Sequence, residues 1–222
     1  MSTRLLTLAL LTCAASIARA ADCPLNHFSV GPTGEFSSLA VDSRTQSSNC
    51  TSSSASYDVP AGTLAISFGC GGGCGECGSG GGVYVEDDFS VVGLPGGTAV
   101  ALTARMTGTL GGGFGGFEYV VTSATLKDTN GHVVTASVDP QGGYSGNLNL
   151  SLPVDAIAGQ VFRLHFELSG YSLGPLSGSA SAAFSFSGLA PGTAVVSCQG
   201  YVSDRTVPAR RSTWGRLKAA YR

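Results

Sequence analysis

Phe89-Ser90-Val91-Val92-Gly93-Leu94-Pro95-Gly96-Gly97-Thr98-Ala99-Val100 returns 95 positions later as Phe184-Ser185-Phe186-Ser187-Gly188-Leu189-Ala190-Pro191-Gly192-Thr193-Ala194-Val195, and eight of the twelve columns are identical without gaps. Each copy reads as strand, sharp turn, strand. Proline presets φ, and the glycine that follows accepts the positive φ of a type II turn. The two prolines are offset by one column, so the turns need not be identical. A repeat built from strand ends and a turn carries architecture and no chemistry. It predicts an all-β chain in which two related hairpins occupy pseudo-equivalent places.

Working outward, period-two alternation supports that reading. Leu64, Ile66, Phe68 and Cys70 share one face, as do Val83, Val85, Asp87, Phe89 and Val91. Val100, Leu102, Ala104 and Met106 alternate with Thr103, Arg105 and Thr107, and Leu148, Leu150 and Leu152 alternate with Asn147, Asn149 and Ser151. Phe162, Leu164, Phe166 and Leu168 alternate with Arg163, His165 and Glu167, and Ala180 to Phe186 alternate with serines. One buried and one wet face per strand is the mark of antiparallel sheets. Asp128-Thr129-Asn130-Gly131 between two such runs predicts a type I′ hairpin. Residues 69–82 read as a glycine-rich loop, and residues 21–60 offer only short strands, at 36–41 and 56–59. The 33 glycines of the 222 residues are costly in helices and cheap at turns. The sequence therefore predicts 10 to 12 strands in a two-sheet antiparallel β-sandwich of jelly-roll or Ig-like type, one domain over 21–204. Two smaller Ig-like sandwiches are the alternative, but too few strands follow the second copy to complete one.

Residues 1–20 read as an export signal: Arg4, an apolar run Leu5 to Leu11, and Ala18-Arg19-Ala20 with cleavage after Ala20. A competing lipoprotein reading acylates Cys13; Thr12, where a smaller residue is usual, speaks against it. No other apolar run approaches the roughly 18 residues that span a bilayer. Cys23, Cys50, Cys70, Cys74, Cys77 and Cys198 form an even set that predicts three disulfides in an oxidising compartment, with connectivity open. The body, 21–204, has a net charge of 4 − 14 = −10, and the basic tail 205–222 adds +6. An acidic body argues against nucleic acid as a partner. The tail spaces Trp214, Leu217 and Tyr221 like one face of a short helix.

The candidate sites are few. Cys70, Cys74 and Cys77 have the spacing that holds three irons of an iron–sulfur cluster. Export, an all-β context and Glu76 where an aromatic is usual argue for disulfides instead. Zinc would need a fourth ligand, Cys50 or His27. Glu86-Asp87-Asp88 is the only acidic cluster; parity sends Tyr84, Glu86 and Asp88 outward and Asp87 inward. A lone buried carboxylate is expensive, so a bulge or a cation is implied, and Asp87 and Asp88 are the candidate Ca²⁺ ligands beside the simpler reading of a charged strand edge. Glu118 and Glu167 are the only later glutamates that could complete a glycosidase pair. His27, His132 and His165 read as solvated, and no serine lies in a nucleophile elbow. Gly80-Gly81-Gly82 and Gly111 to Gly116 lack a phosphate-loop signature. Tyr84, Phe114, Phe117, Tyr144 and Tyr171 are candidates for a carbohydrate platform.

Asp87-Asp88-Phe89…Gly93-Leu94-Pro95-Gly96-Gly97-Thr98, Gly159-Gln160-Val161-Phe162-Arg163-Leu164 and Phe186…Gly188-Leu189-Ala190-Pro191-Gly192-Thr193…Ser197-Cys198-Gln199-Gly200-Tyr201 resemble a group of exported bacterial β-sandwich proteins, most of them uncharacterised. Many of that group's relatives carry C-terminal surface-sorting segments. The resemblance implies a cell-surface or secreted protein and no catalytic residues. This chain departs from it by ending in Trp214-Gly215-Arg216-Leu217-Lys218 with no membrane helix.

The expectation is a secreted or cell-surface structural or adhesive β-sandwich without catalysis, its partner a glycan or an envelope surface. The alternative is a carbohydrate-binding module stabilised by calcium; a polysaccharide-active enzyme ranks third.

Overall fold

The computed structural model describes residues 23–30, 34–71, 77–115, 118–138 and 145–203. The predicted export signal, Cys13, Cys74 and the basic tail lie outside them. The described residues are strand-rich with no helix, in two packed antiparallel sheets. In chain order the strands are β1 (Asn26–Val30), β2 (Gly34–Ser37), β3 (Val41–Ser47), β4 (Thr51–Asp58), β5 (Thr63–Cys70), β6 (Gly78–Val92) and β7 (Ala99–Gly111). Then come β8 (Gly113–Gly115), β9 (Glu118–Asp128), β10 (Val133–Ser137), β11 (Ser145–Ile157), β12 (Val161–Leu173), β13 (Ser177–Ser187) and β14 (Ala194–Ser197). The larger sheet runs β10-β9-β12-β6-β1-β2, with β14 also on β6 and β8 on β9; the second runs β11-β7-β13-β5-β4-β3.

The two copies of the repeat are corners and not hairpins. β6 lies in the larger sheet and β7 in the second, so the first copy crosses between layers; the second copy crosses back, from β13 to β14. The circuit closes because β7 pairs with β13 and β14 pairs with β6. Phe89 and Phe184, which open the two copies, meet edge to face at 6.3 Å in the core. Offset prolines notwithstanding, the turns match. Thr98 N–H and hydroxyl both donate to Pro95 O, and Thr193 N–H and hydroxyl both donate to Ala190 O. Gly97 and Gly192, at φ +85° and +81°, hold the third position of each turn. The glycine ahead of each turn, Gly93 or Gly188, lies against backbone of the opposite crossing, so a Cβ on Gly93 would strike Gly192.

Three further expectations need correction. The 69–82 stretch is only partly loop: Gly78 to Gly82 open β6 and pair with β12, Gly82 opposite Ser169 and Gly80 opposite Tyr171. The 21–60 region holds four strands, because Phe28, Ala55 and Tyr57 supply an inward face while serines fill the outer one. Asn130 does not take positive φ; only Gly131 does, at +89°, so the turn is a β-turn capped by a left-handed glycine. Its carboxylate explains the choice: Asp128 Oδ1 accepts N–H groups from Asn130 and His132, each at 2.9 Å.

The core between the sheets is one contiguous cluster, with Phe28, Phe89, Phe166, Leu64 and Met106 among its fully buried members. Cys23–Cys198 ties the start of the chain to the segment after β14, and Cys70–Cys77 spans the β5–β6 connection. Cys50 is also disulfide-bonded. The disulfide expectation therefore stands for these five cysteines. Two of the three sulfurs that a cluster or zinc site would need are bonded to each other.

Phe68 packs its ring onto Gly170 and Gly178, where an added Cβ would lie 2.6 and 2.7 Å from ring carbons. Gly178→Ala should therefore cost about 1–3 kcal/mol through overpacking. Urea denaturation should show that loss, and Phe68→Leu in the same chain should recover part of it; an unshifted midpoint for Gly178→Ala contradicts the packing described.

Candidate functional site

Alternation along β6 sends Gly78, Gly80, Gly82, Tyr84, Glu86 and Asp88 to the outer face of the larger sheet. Cross-strand register places Ser29 of β1 and Ser169 of β12 beside Gly82, and His27 and Glu167 beside Tyr84. One strand further, Ser123 faces Ser169 and Val121 faces Tyr171. Small side chains thus form a row across four strands, with a taller row on one side and Tyr171 on the other. The result is an open trough of about 780 Å³. It extends past the end of β1 to Gln46 of β3 and to Thr51 and Ser53 of β4 in the second sheet.

The taller row is aromatic. The His27 ring stacks on Tyr84 at 4.8 Å, the Tyr84 ring stacks on His165 at 4.8 Å, and Phe36 tilts against His27 at 4.8 Å. Burial, with Glu86 and Glu167 nearby, pushes the Tyr84 phenol above its ordinary range, so it stays protonated and can donate. Tyr171 is 47% exposed and leans edge-on to Tyr119, their hydroxyls 3.2 Å apart. Ser123 and Ser169 hydroxyls lie 2.8 Å apart on the floor. Of the aromatics named from sequence, Tyr84 and Tyr171 therefore bound one depression. Phe117, Tyr144 and the Phe114 side chain lie outside the described residues. His27 and His165, expected to be simply solvated, flank Tyr84. Nothing in their sequence spacing shows it, because only the β1–β6 and β6–β12 registers bring them together.

The acidic cluster divides by face, as parity requires. Arg163 grips Asp88 with two bonds, Nε to Oδ1 at 2.6 Å and Nη2 to Oδ2 at 3.0 Å, and reaches Glu86 at 3.2 Å. Glu86 and Glu167 flank His165, at 3.9 and 3.2 Å. That is the tie between a β6 carboxylate and Glu167 that sequence did not reveal. Glu86 lies on the sheet face outside the trough, and Glu167 borders the trough.

Asp87 points the other way and is fully buried. It lies where β6 changes partner: β1 pairs with residues 81–84 of β6 and β14 with 89–92. Gln199 fills the gap between them. Its backbone N–H donates to Asp87 Oδ2, and its amide nitrogen donates to Pro24 O at 3.0 Å and Glu86 O at 3.2 Å. Asn26 Nδ2 donates to Gln199 Oε1 at 2.6 Å. Asp88 N–H and the Ser197 side chain also bond the Asp87 carboxylate. The expected bulge or cation is thus replaced by N–H and hydroxyl donors. Asp87 and Asp88 aim to opposite faces and do not converge on a calcium position. Among the described residues no group of three or more His, Cys, Asp and Glu is arranged to hold a metal.

No protein-family model, no curated protein and no solved structure matches the chain.

Burial raises the Asp87 carboxyl from 3.8 to about 6, its hydrogen bonds offsetting only part of the effect. The folded state therefore binds this proton more tightly than the unfolded state. Stability should rise as pH falls through 6 and level off below about 4. Urea unfolding at pH 7 and pH 4.5 should show wild type gaining roughly 1–3 kcal/mol at the lower pH. Asp87→Asn should lack that gain; the same slope in both chains would assign it elsewhere.

Proposed function

We propose that this protein is an exported, non-catalytic adhesive β-sandwich that binds glycan in the trough on the outer face of its larger sheet. The observation that carries the reading is the trough itself. Alternate glycines of β6 remove side chains from the middle of a sheet face, where serine hydroxyls then line a floor bounded by Tyr84 and Tyr171. A sugar ring presents hydroxyls at its rim and C–H groups on its faces. Exposed tyrosine beside a few fixed polar groups suits both. Disulfides fit an oxidising compartment, in keeping with the predicted export signal. The non-catalytic reading is supported by how the carboxylates are engaged: Asp88 is held by Arg163, and Glu86 and Glu167 share His165.

A glycan array holding neutral and amine-bearing saccharides, probed with the mature chain, should give binding that a calcium chelator leaves unchanged. Gly82→Val places a β-branched side chain in the trough where the nearest side-chain atom to its Cβ, on Ser29, is 3.3 Å away. It should weaken binding at least tenfold while leaving the melting temperature within a few degrees, and Tyr171→Ala should weaken it too. Binding that survives Gly82→Val, or an array with no response, overturns the proposal.

A further inference from the structure

The trough's charge is one-sided. Among its described lining residues Glu167 is the one acidic side chain, and there is neither lysine nor arginine. Glu167 stands between Tyr84 of β6 and Thr125 of β9 in register, next to the row formed by Ser29, Gly82, Ser169 and Ser123. One of its oxygens, Oε2, meets His165 Nε2 at 3.2 Å, which fixes the carboxylate at the trough's edge, 35% exposed. The basic groups on this sheet face are committed or distant. Arg163 is held by Asp88 and Glu86, and neither it nor Lys127 lines the trough.

Such a site discriminates by charge. A uronate, sulfate or phosphate would bring a second anion to Glu167 with no lysine or arginine of the lining to receive it; His27, the histidine of the lining, is held against Phe36 and Tyr84. A protonated amine on the sugar ring would instead donate to the carboxylate, and charge-assisted bonds are about twice as strong as neutral ones. An N-acetyl group on the same carbon removes that charge and adds bulk. We propose that the trough selects saccharides carrying free amines, units of unacetylated hexosamine, with Glu167 as the specificity-determining residue. This rests on the saccharide reading above and goes beyond it by naming the ligand class. The acidic body, with net charge 4 − 14 = −10 over 21–204, speeds the approach of such a polycation but does not select it.

The test is calorimetric titration of the mature chain with two hexamers of the same linkage, glucosamine and N-acetylglucosamine, at a pH where the amine is cationic. The glucosamine hexamer should bind at least tenfold tighter. Glu167→Gln should bring the two within about twofold by weakening the glucosamine hexamer. Asp155→Asn removes an equal charge from an exposed position of β11 in the other sheet and should keep the full preference. If wild type binds both hexamers equally, or if Asp155→Asn erodes the preference as much as Glu167→Gln does, the amine proposal is wrong and the saccharide reading stands. If neither hexamer binds but the glycan array responds, only the amine proposal fails; if the array is silent as well, both fail together.

Discussion

Every layer of this molecule depends on the backbone ladder of β6. A buried strand must have its N–H and C=O groups paired along its length, since each orphan costs on the order of 1–3 kcal/mol. On one side β12 meets the need with an unbroken register from Gly78 to Ser90. On the other side no single strand is long enough, and β1 and β14 divide the task, leaving residues 85–88 between them. Cys198 N–H donates to Asp88 O at 2.8 Å, and the Gln199 side-chain amide donates to Glu86 O. The gap is therefore closed by a turn and not by a strand. Cys23–Cys198 holds the two contributors together, 175 residues apart in sequence. Asp87 is the cost of that arrangement. Its raised pKa marks a carboxyl held in a dry position because three donors need an acceptor there.

The repeat explains how such a long strand begins and ends in the right layer. A strand that leaves one sheet must place its successor in the other without exposing the core. Both crossings do so with the same short segment. Phe89 and Phe184 anchor the approaches, glycines at 93 and 188 let backbones come close, and Thr98 and Thr193 lock the turns. Because β7 pairs with β13 and β14 with β6, each crossing fixes the register of the other's product. A change at one corner therefore acts on both sheets.

Residue-level facing was legible in the sequence; partnership was not. Parity placed Asp87 inward and Tyr84, Glu86 and Asp88 outward, and it gave the inner faces of β5, β7, β12 and β13, because side-chain direction follows from period two alone. The repeat was read as hairpins because a strand–turn–strand pattern looks the same whether its arms pair with each other or lie in opposite layers. The glycines at 78–82 read as loop because β propensity is carried by side chains that these positions lack, and their strand is set instead by the register with Ser169, Tyr171 and Leu173 of β12. The Asn-Gly turn took another form because Asp128 offered its carboxylate to the loop N–H groups. His27, Tyr84 and His165 became a stack only through two registers that no local pattern encodes.

The same register makes the trough a property of the sheet and not of a loop. Glycine inside a strand sacrifices roughly 0.5–1 kcal/mol per position relative to alanine, and β6 carries Gly78, Gly80, Gly81 and Gly82 in its first five residues. Packing requires only some of that. A Cβ on Gly80 would stand 3.1 Å from Gly170 O, whereas one on Gly81 would meet only ordinary contacts, Ser54 O at 3.7 Å and Ser67 O at 3.8 Å. Gly82 faces outward, with Ser29 Cβ 3.3 Å from where its own Cβ would stand, so a small side chain there requires Ser29 to shift by a few tenths of an ångström. Glycine at this position keeps the floor of the trough low at a loss of strand propensity. The disulfide Cys70–Cys77 closes the connection immediately before these glycines. The depression is thereby held on a rigid ladder, where Tyr84, Tyr171 and Glu167 keep fixed positions around it.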